Sequence, residues 1–125
     1  MNTKDPIAIR YNDSSVLENY HLAEAFEALR DPDVDIFSAM TPEEYRTSRN
    51  LIIECVLATD MTRHWAMVAD APEKLATPIE NRTFVLKYLV HGVDISNPIR
   101  PEQVCRKWAE KVLEEFFAQG DKEKA

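Results

Sequence analysis

Apolar residues recur along this chain at intervals of three and four rather than two, which predicts helices. Val16, Tyr20, Ala23, Phe26 and Leu29 form one such stripe. Ser15-Val16-Leu17-Glu18 stands at its head and fits a capping box, in which serine and glutamate satisfy each other's free amides. Asp31-Pro32-Asp33 ends that helix. Ahead of it, Met1 to Asp13 contains Pro6 and an Asn12-Asp13 turn signal, with Ile7 and Ile9 as anchors, and reads as an irregular or short helical lead-in. Behind it, Asp35-Ile36-Phe37 makes a short apolar plug. Thr41-Pro42-Glu43-Glu44 opens a second helix with a capping threonine, a first-turn proline and a glutamate completing the box. Tyr45, Ile52, Ile53, Val56 and Leu57 follow at helical spacing, and the helix is expected to run to about Val68. Cys55 lies near that face as a packing residue.

Asp70 to Pro78, with Ala71-Pro72 and Thr77-Pro78 at its ends, reads as a loop. A third helix begins near Ile79 and carries Phe84, Val85, Tyr88 and Leu89 towards His91. Gly92 then offers close backbone approach or a left-handed turn. The fourth helix starts at Pro101 and ends near Gly120, with Val104, Trp108, Val112 and Phe116 recurring every four residues. Asp121 to Ala125 read as frayed. With two glycines and no extended β-branched alternation, the fold class is all-α, a multi-helix bundle.

Composition bounds this picture without changing it. A chain of 125 residues, 45% hydrophobic, suffices for one domain with a modest core. Fifteen basic against 22 acidic residues leave a net charge of −7 with no basic tract, which argues against nucleic-acid or anionic-membrane binding. No apolar run approaches the ~20 residues needed to span a bilayer and no signal-peptide pattern opens the chain, so the expected location is cytoplasmic. Cys55 and Cys105 are too few for a disulfide framework and are not spaced as a metal pair; both read as reduced thiols.

Asp94 is where candidate chemistry starts. It follows Leu89, Val90 and Val93, and a carboxylate buried there needs a partner, a hydrogen bond or a cation. Two readings stand: metal ligation, or a local role capping or bracing the turn before Pro98. Thr59-Asp60-Met61 interrupts the apolar stripe of the second helix, and His64 with Trp65 reads as a structural surface pair.

The segment His91-Gly92-Val93-Asp94-Ile95-Ser96-Asn97-Pro98 resembles the H-x-x-D-[LIV]-S-N-P motif of class I 3',5'-cyclic nucleotide phosphodiesterases. Three further blocks agree in the family's order: Tyr11 to Asn19, Val56 to His64, and Glu114 to Glu123. The resemblance spans essentially the whole chain. It implies a partial phosphodiesterase catalytic-domain fold over residues 1–125 and hydrolysis of cyclic AMP or cyclic GMP to the 5'-monophosphate. It also implies divalent metals as cofactors, zinc plus magnesium or manganese, sharing a bridging hydroxide. Asp94 matches the second of two zinc-binding aspartates and would orient that hydroxide. Glu18 would reach the metal-bound water, unless the capping box is its whole role. Asp60 would stand behind the ligands and Met61 would wall the pocket. Asn97 would lie near the base edge, with Trp108, Val112 and Phe116 beside it as a core face left partly uncovered.

Departures from the family's pattern matter too. Tyr20 stands where a histidine is common, although His21 fits the next one, and Cys105 replaces an aromatic, which leaves base selectivity open. The H-N-x-x-H and H-D-x-x-H-x-G-x-x-N segments that carry the other metal ligands and the proton donor are absent. Asn2-Thr3 resembles the residues just after the second of these, so the chain reads as a central slice of a longer domain, expected to be inactive alone because one carboxylate cannot hold zinc. The rival reading is a non-catalytic helical interaction module that self-associates through the apolar surface left uncovered.

Overall fold

Six helices follow one another in a computed structural model that describes residues 4–124: α1 (Pro6–Arg10), α2 (Val16–Ala28), α3 (Pro42–Leu57), α4 (His64–Ala76), α5 (Arg82–Asp94) and α6 (Glu102–Lys124). Two 3₁₀ turns, Met61–Arg63 and Asn97–Ile99, precede α4 and α6. No strand occurs among the described residues, so the all-α class holds. The resemblance placed on Asn2-Thr3 lies outside the described residues.

Local chemistry explains most of the starts. Asp5 accepts hydrogen bonds from the Ile7 and Ala8 amides and starts α1 inside the expected lead-in. Thr41 and Glu44 close the capping box of α3 as expected, with Pro42 in its first turn. α3 is the hub: α2 packs on it with the Arg49 guanidinium 3.8 Å from the Phe26 ring centre, and α5 packs on it with Lys87 3.5 Å from Glu54. α4 joins through α5, where the Lys74 ammonium lies 4.9 Å from the Phe84 ring centre. Among the described residues α6 packs chiefly on the Asn97–Ile99 turn that leads into it.

Several expectations are corrected. The second helix does not run on to Val68: α3 stops at Leu57, and the Ala58 and Thr59 amides turn back to carbonyls at Glu54 to Val56 before a new helix starts at His64. The proposed loop from Asp70 to Pro78 is mostly helix, because Pro72 sits inside α4 on its exposed side. The Val68 carbonyl that loses its partner there belongs to an exposed residue and can be hydrated. α5 starts at Arg82 rather than near Ile79, since the Glu80 and Asn81 amides both close a turn on the Thr77 carbonyl. The Asp35–Phe37 plug is half open: Ile36 is exposed, while Phe37 packs edge-on against Tyr45. In α2 the buried residue is Leu22, and Ala23, assigned to the stripe, is exposed. The expected fray from Asp121 is helix through Lys124.

Neither glycine makes a turn. Gly92 lies inside α5 and Gly120 inside α6, neither with positive φ. An added Cβ at either meets nothing within 4 Å. Gly92→Ala and Gly120→Ala are therefore each expected to stabilise the chain by about 0.5–1 kcal/mol, through the backbone entropy alanine does not lose. Urea melts read this directly, and a loss of stability in Gly92→Ala would show that the close-approach reading was right after all.

The buried set is small: Ala8, Leu22, Ala58, Met67 and Ala71, with His91 as the one buried polar residue among those described. The accessible surface is 9962 Å², whereas a closed monomer of 14.4 kDa would expose about 6,800 Å². This is an open arrangement, with roughly 3,000 Å² more surface than a sealed globule of its mass.

Candidate functional site

Two long-range polar contacts organise the expected site residues. The first starts at Ser15, whose backbone is left-handed (φ 42°, ψ 53°) and whose hydroxyl does not cap α2. It donates instead to Asp60 Oδ2 at 2.7 Å, across 45 residues. The capping box read into Ser15 and Glu18 is thus not formed: a capping serine accepts a helix amide from an extended backbone, and the left-handed backbone of Ser15 does not present its oxygen to the α2 amides. Asn19 takes up part of the local work, donating to the Ser14 and Ser15 carbonyls. Asp60 Oδ1 accepts the Thr62 amide at 2.8 Å and starts the Met61–Arg63 turn. The Ser15 hydroxyl, chiefly, holds the Asp60 carboxyl below the usual range, against its partial burial and with help from Thr62. Glu18, half-buried in the first turn of α2, and Met61, 58% exposed, are carried on the two backbones this bond joins.

A folded-state pKa below the unfolded one means that the Asp60 contact stabilises above the ordinary carboxylate range, about pH 4, and is lost as pH falls through it. Ser15→Ala is expected to cost about 1 kcal/mol at pH 7 and to reduce the acid-side loss of stability. Ser15→Gly removes the same bond but also the left-handed strain, so it should be more stable than Ser15→Ala by about 1 kcal/mol. Equal stabilities in denaturant titrations would show that Ser15 is unstrained.

The second contact joins His64 Nδ1 to His91 Nε2 at 2.9 Å. His64 is the first residue of α4; it is half-buried, not a surface residue, and packs edge-on against the exposed Trp65, ring centres 4.8 Å apart. His91 is 3% exposed, and its Nδ1 has no partner among the described residues. One helical turn beyond it stands Asp94. The contact therefore ties the segment after Met61 to the end of α5.

Asp94 is the last residue of α5 and is exposed, so no burial cost demands a partner. Nor does it brace the following turn, which the Ile95 and Ser96 amides close on the carbonyls of His91 and Val93. Asn97 is half-buried at the start of the next 3₁₀ turn. Beside this corner lies an open, largely apolar cleft of about 430 Å³ between α5 and Arg100, lined by Tyr88, Leu89, Val93 and Ile99 among others, but not by Asp94 or Asn97. Trp108, Val112 and Phe116 share one side of α6 and are 52%, 39% and 63% exposed. Among the described residues no group of three or more histidines, cysteines or acids is placed to hold a metal ion. The residues present do not by themselves fit the zinc and magnesium or manganese that the resemblance implies.

The Ser15–Asp60 and His64–His91 pairs were missed at the level of sequence, where each residue had a sufficient local explanation. His21, which fits the family's second histidine, is exposed on α2. Cys55 is half-buried, and burial raises its thiol pKa, in keeping with a packing role. No described helix is long and apolar enough to cross a membrane.

Comparison with known proteins bears on the whole of this arrangement. The chain is 39% identical over 136 aligned residues to rat 3',5'-cyclic-AMP phosphodiesterase 4C, covering 99% of this chain and 25% of the relative. It is 40% identical to 3',5'-cyclic-AMP phosphodiesterase isoform F of Drosophila melanogaster, again over 99% of this chain but 20% of the relative. The chain thus spans a quarter or less of these curated relatives. Among solved structures, the phosphodiesterase domain of Salpingoeca rosetta rhodopsin phosphodiesterase superposes with a TM-score of 0.87 at 34% identity, over 96% of this chain and 39% of that one. LmjPDEB1 in complex with IBMX gives 0.88 at 34% identity, over 98% and 39%. The 3'5'-cyclic nucleotide phosphodiesterase family model matches residues 1–125, and the chain belongs to that family.

Proposed function

We propose that residues 1–125 form a central part of the catalytic domain of a metal-dependent 3',5'-cyclic nucleotide phosphodiesterase, and that they are inactive alone. The observation that carries this reading is the match of the family over the full chain combined with a single unengaged carboxylate, Asp94, at the end of α5. Asp94 supplies one metal ligand, and the remaining ligands come from outside these residues. Asn97, Met61, Trp108, Val112 and Phe116 line the nucleotide side, and Glu18 and Asp60 support the metal-bound water from behind. Cyclic AMP is the favoured substrate, because the curated relatives are named for it.

The test has two arms. The 125-residue chain, supplied with zinc and magnesium or manganese, should hydrolyse no cyclic AMP above a protein-free blank. The same residues, replacing the matching segment of the rat enzyme, should restore a chimera to measurable hydrolysis. A folded chimera without activity, or Asp94-dependent hydrolysis by the chain alone, would overturn the proposal.

A second reading, a helical interaction module, is favoured by one observation. Among the described residues α6 packs chiefly on the 3₁₀ turn before it, and its aromatic side is exposed.

A further inference from the structure

We infer that His64 and His91 are positioning residues for hydrolysis: the hydrogen bond between them fixes the end of α5, and with it Asp94, relative to the Asp60–Arg63 segment. The consequence for hydrolysis rests on the proposed function, whereas the fixing itself does not. Among the described residues three side-chain hydrogen bonds join distant parts of the chain, across 45, 33 and 27 positions. The two shorter ones, at 2.7 and 2.9 Å, end at Asp60 and His64, on either side of the Met61–Arg63 turn. Ser15, at the head of the helix that carries Glu18, is joined to Asp60, and His64 is joined to His91, one turn before Asp94. The three segments that carry Glu18, Met61 and Asp94 are therefore linked in series.

His91 is where α5 is last held. α4 and α5 run antiparallel: Lys74 lies over Phe84 towards one end, and His64 meets His91 at the other. His64 shares one face of α4 with the buried Met67 and Ala71, at the i, i+3, i+7 spacing of a packed stripe. On α5 burial stops at His91, and every residue from Gly92 to Ile95 is exposed. Helix ends fray where no side chain anchors them. His91 acts on this end twice, since its ring meets His64 and its carbonyl accepts the Ile95 amide at 3.1 Å, one residue past Asp94. Packing alone does not call for an imidazole here. Its Nδ1 is buried without a partner among the described residues, which is costly, and an apolar side chain of that volume would fill the place without that cost. What the ring adds is a directional bond, and that bond sets the register between the two segments.

The experiment separates direction from stability with a double variant, His64→Leu with His91→Leu. Replacing both partners of a hydrogen bond by apolar groups of similar volume is nearly neutral, so the urea midpoint should stay close to the parent's. In the 125-residue chain, hydrogen exchange read by nuclear magnetic resonance should nevertheless show the Ile95 and Ser96 amides opening at least tenfold faster, measured relative to the Tyr88 amide of the same helix. His64→Asn with His91→Gln, whose amides can remake the bond in place of the two ring nitrogens, should return that ratio to the parent's. In the chimera with the rat enzyme, the double leucine variant should lower kcat for cyclic AMP about tenfold or more, because misplacing reacting groups by ~1 Å costs up to about 100-fold in rate. KM should stay within about threefold, and the asparagine–glutamine pair should recover kcat. If the double leucine variant loses helix content by circular dichroism, His64→Leu alone, at the half-buried partner, reads the same bond. An unchanged exchange ratio would overturn the proposal, as would full kcat in the double leucine variant or a folded asparagine–glutamine pair that recovers neither quantity. A chimera inactive with both histidines in place would remove the proposed function alone, and the exchange ratio would then decide whether the pair fixes the end of α5.

Discussion

Asp94→Ala, made in the chimera that carries these residues within the rat enzyme, should lower kcat/KM for cyclic AMP by about 100-fold or more. Replacing groups that merely orient metal ligands already costs about 10–100-fold, and a ligand lost outright should cost at least as much. The exposure of Asp94 at the end of α5 makes the substitution a clean one, since no packing or hydrogen bond of this chain is removed with it. Stability should therefore be unchanged while zinc content, read by mass spectrometry of the metal, falls. A loss of activity with full metal occupancy would point to an electrostatic role instead. Activity within a few-fold of the parent would remove Asp94 from the site, and with it the main chemical content of the proposed function.

His91→Ala should destabilise the isolated chain more than any other single alanine substitution outside the small apolar core. The ring is 3% exposed and holds α5 against the start of α4 through His64. Emptying a buried site of that size and unpairing its neighbour costs about 2–4 kcal/mol. Domains of this length hold ~5–15 kcal/mol in all, and a chain whose buried apolar set is five residues, three of them alanine, belongs at the low end. Urea titration followed by circular dichroism should show the midpoint collapsing. His64→Ala should cost about 1–3 kcal/mol, because it leaves His91 Nε2 buried without its partner. The double variant should cost less than the sum of the two, as expected for residues in one contact. Additive losses would mean that the 2.9 Å contact contributes nothing of its own.

What could be read from the chain alone followed a clear division. Helical class, the capping box at Thr41, the close of α2 before Asp31-Pro32-Asp33 and the family resemblance were all legible, because each depends on residues within a few positions of one another. Errors arose where a local rule was applied to a residue with a distant partner. Ser15 fitted the sequence pattern of a capping box, but its left-handed backbone forms no cap and its hydroxyl donates to a carboxylate 45 positions away. Pro72 signalled a break, and the helix absorbed it because the unpaired carbonyl fell on the exposed side. Gly92 signalled a turn, and the helix ran on through Asp94.

By itself, then, the sequence determined the helical class, most of the apolar stripes, the family resemblance and the candidate carboxylate. Only the tertiary structure decided which polar side chains meet, namely Ser15 with Asp60 and His64 with His91, and which stripe stays open, that of α6. The reason is physical. Periodicity reports that a face is apolar, and motif spacing reports what a side chain can do, but whether that face is covered or that hydrogen bond is made depends on elements tens of residues apart.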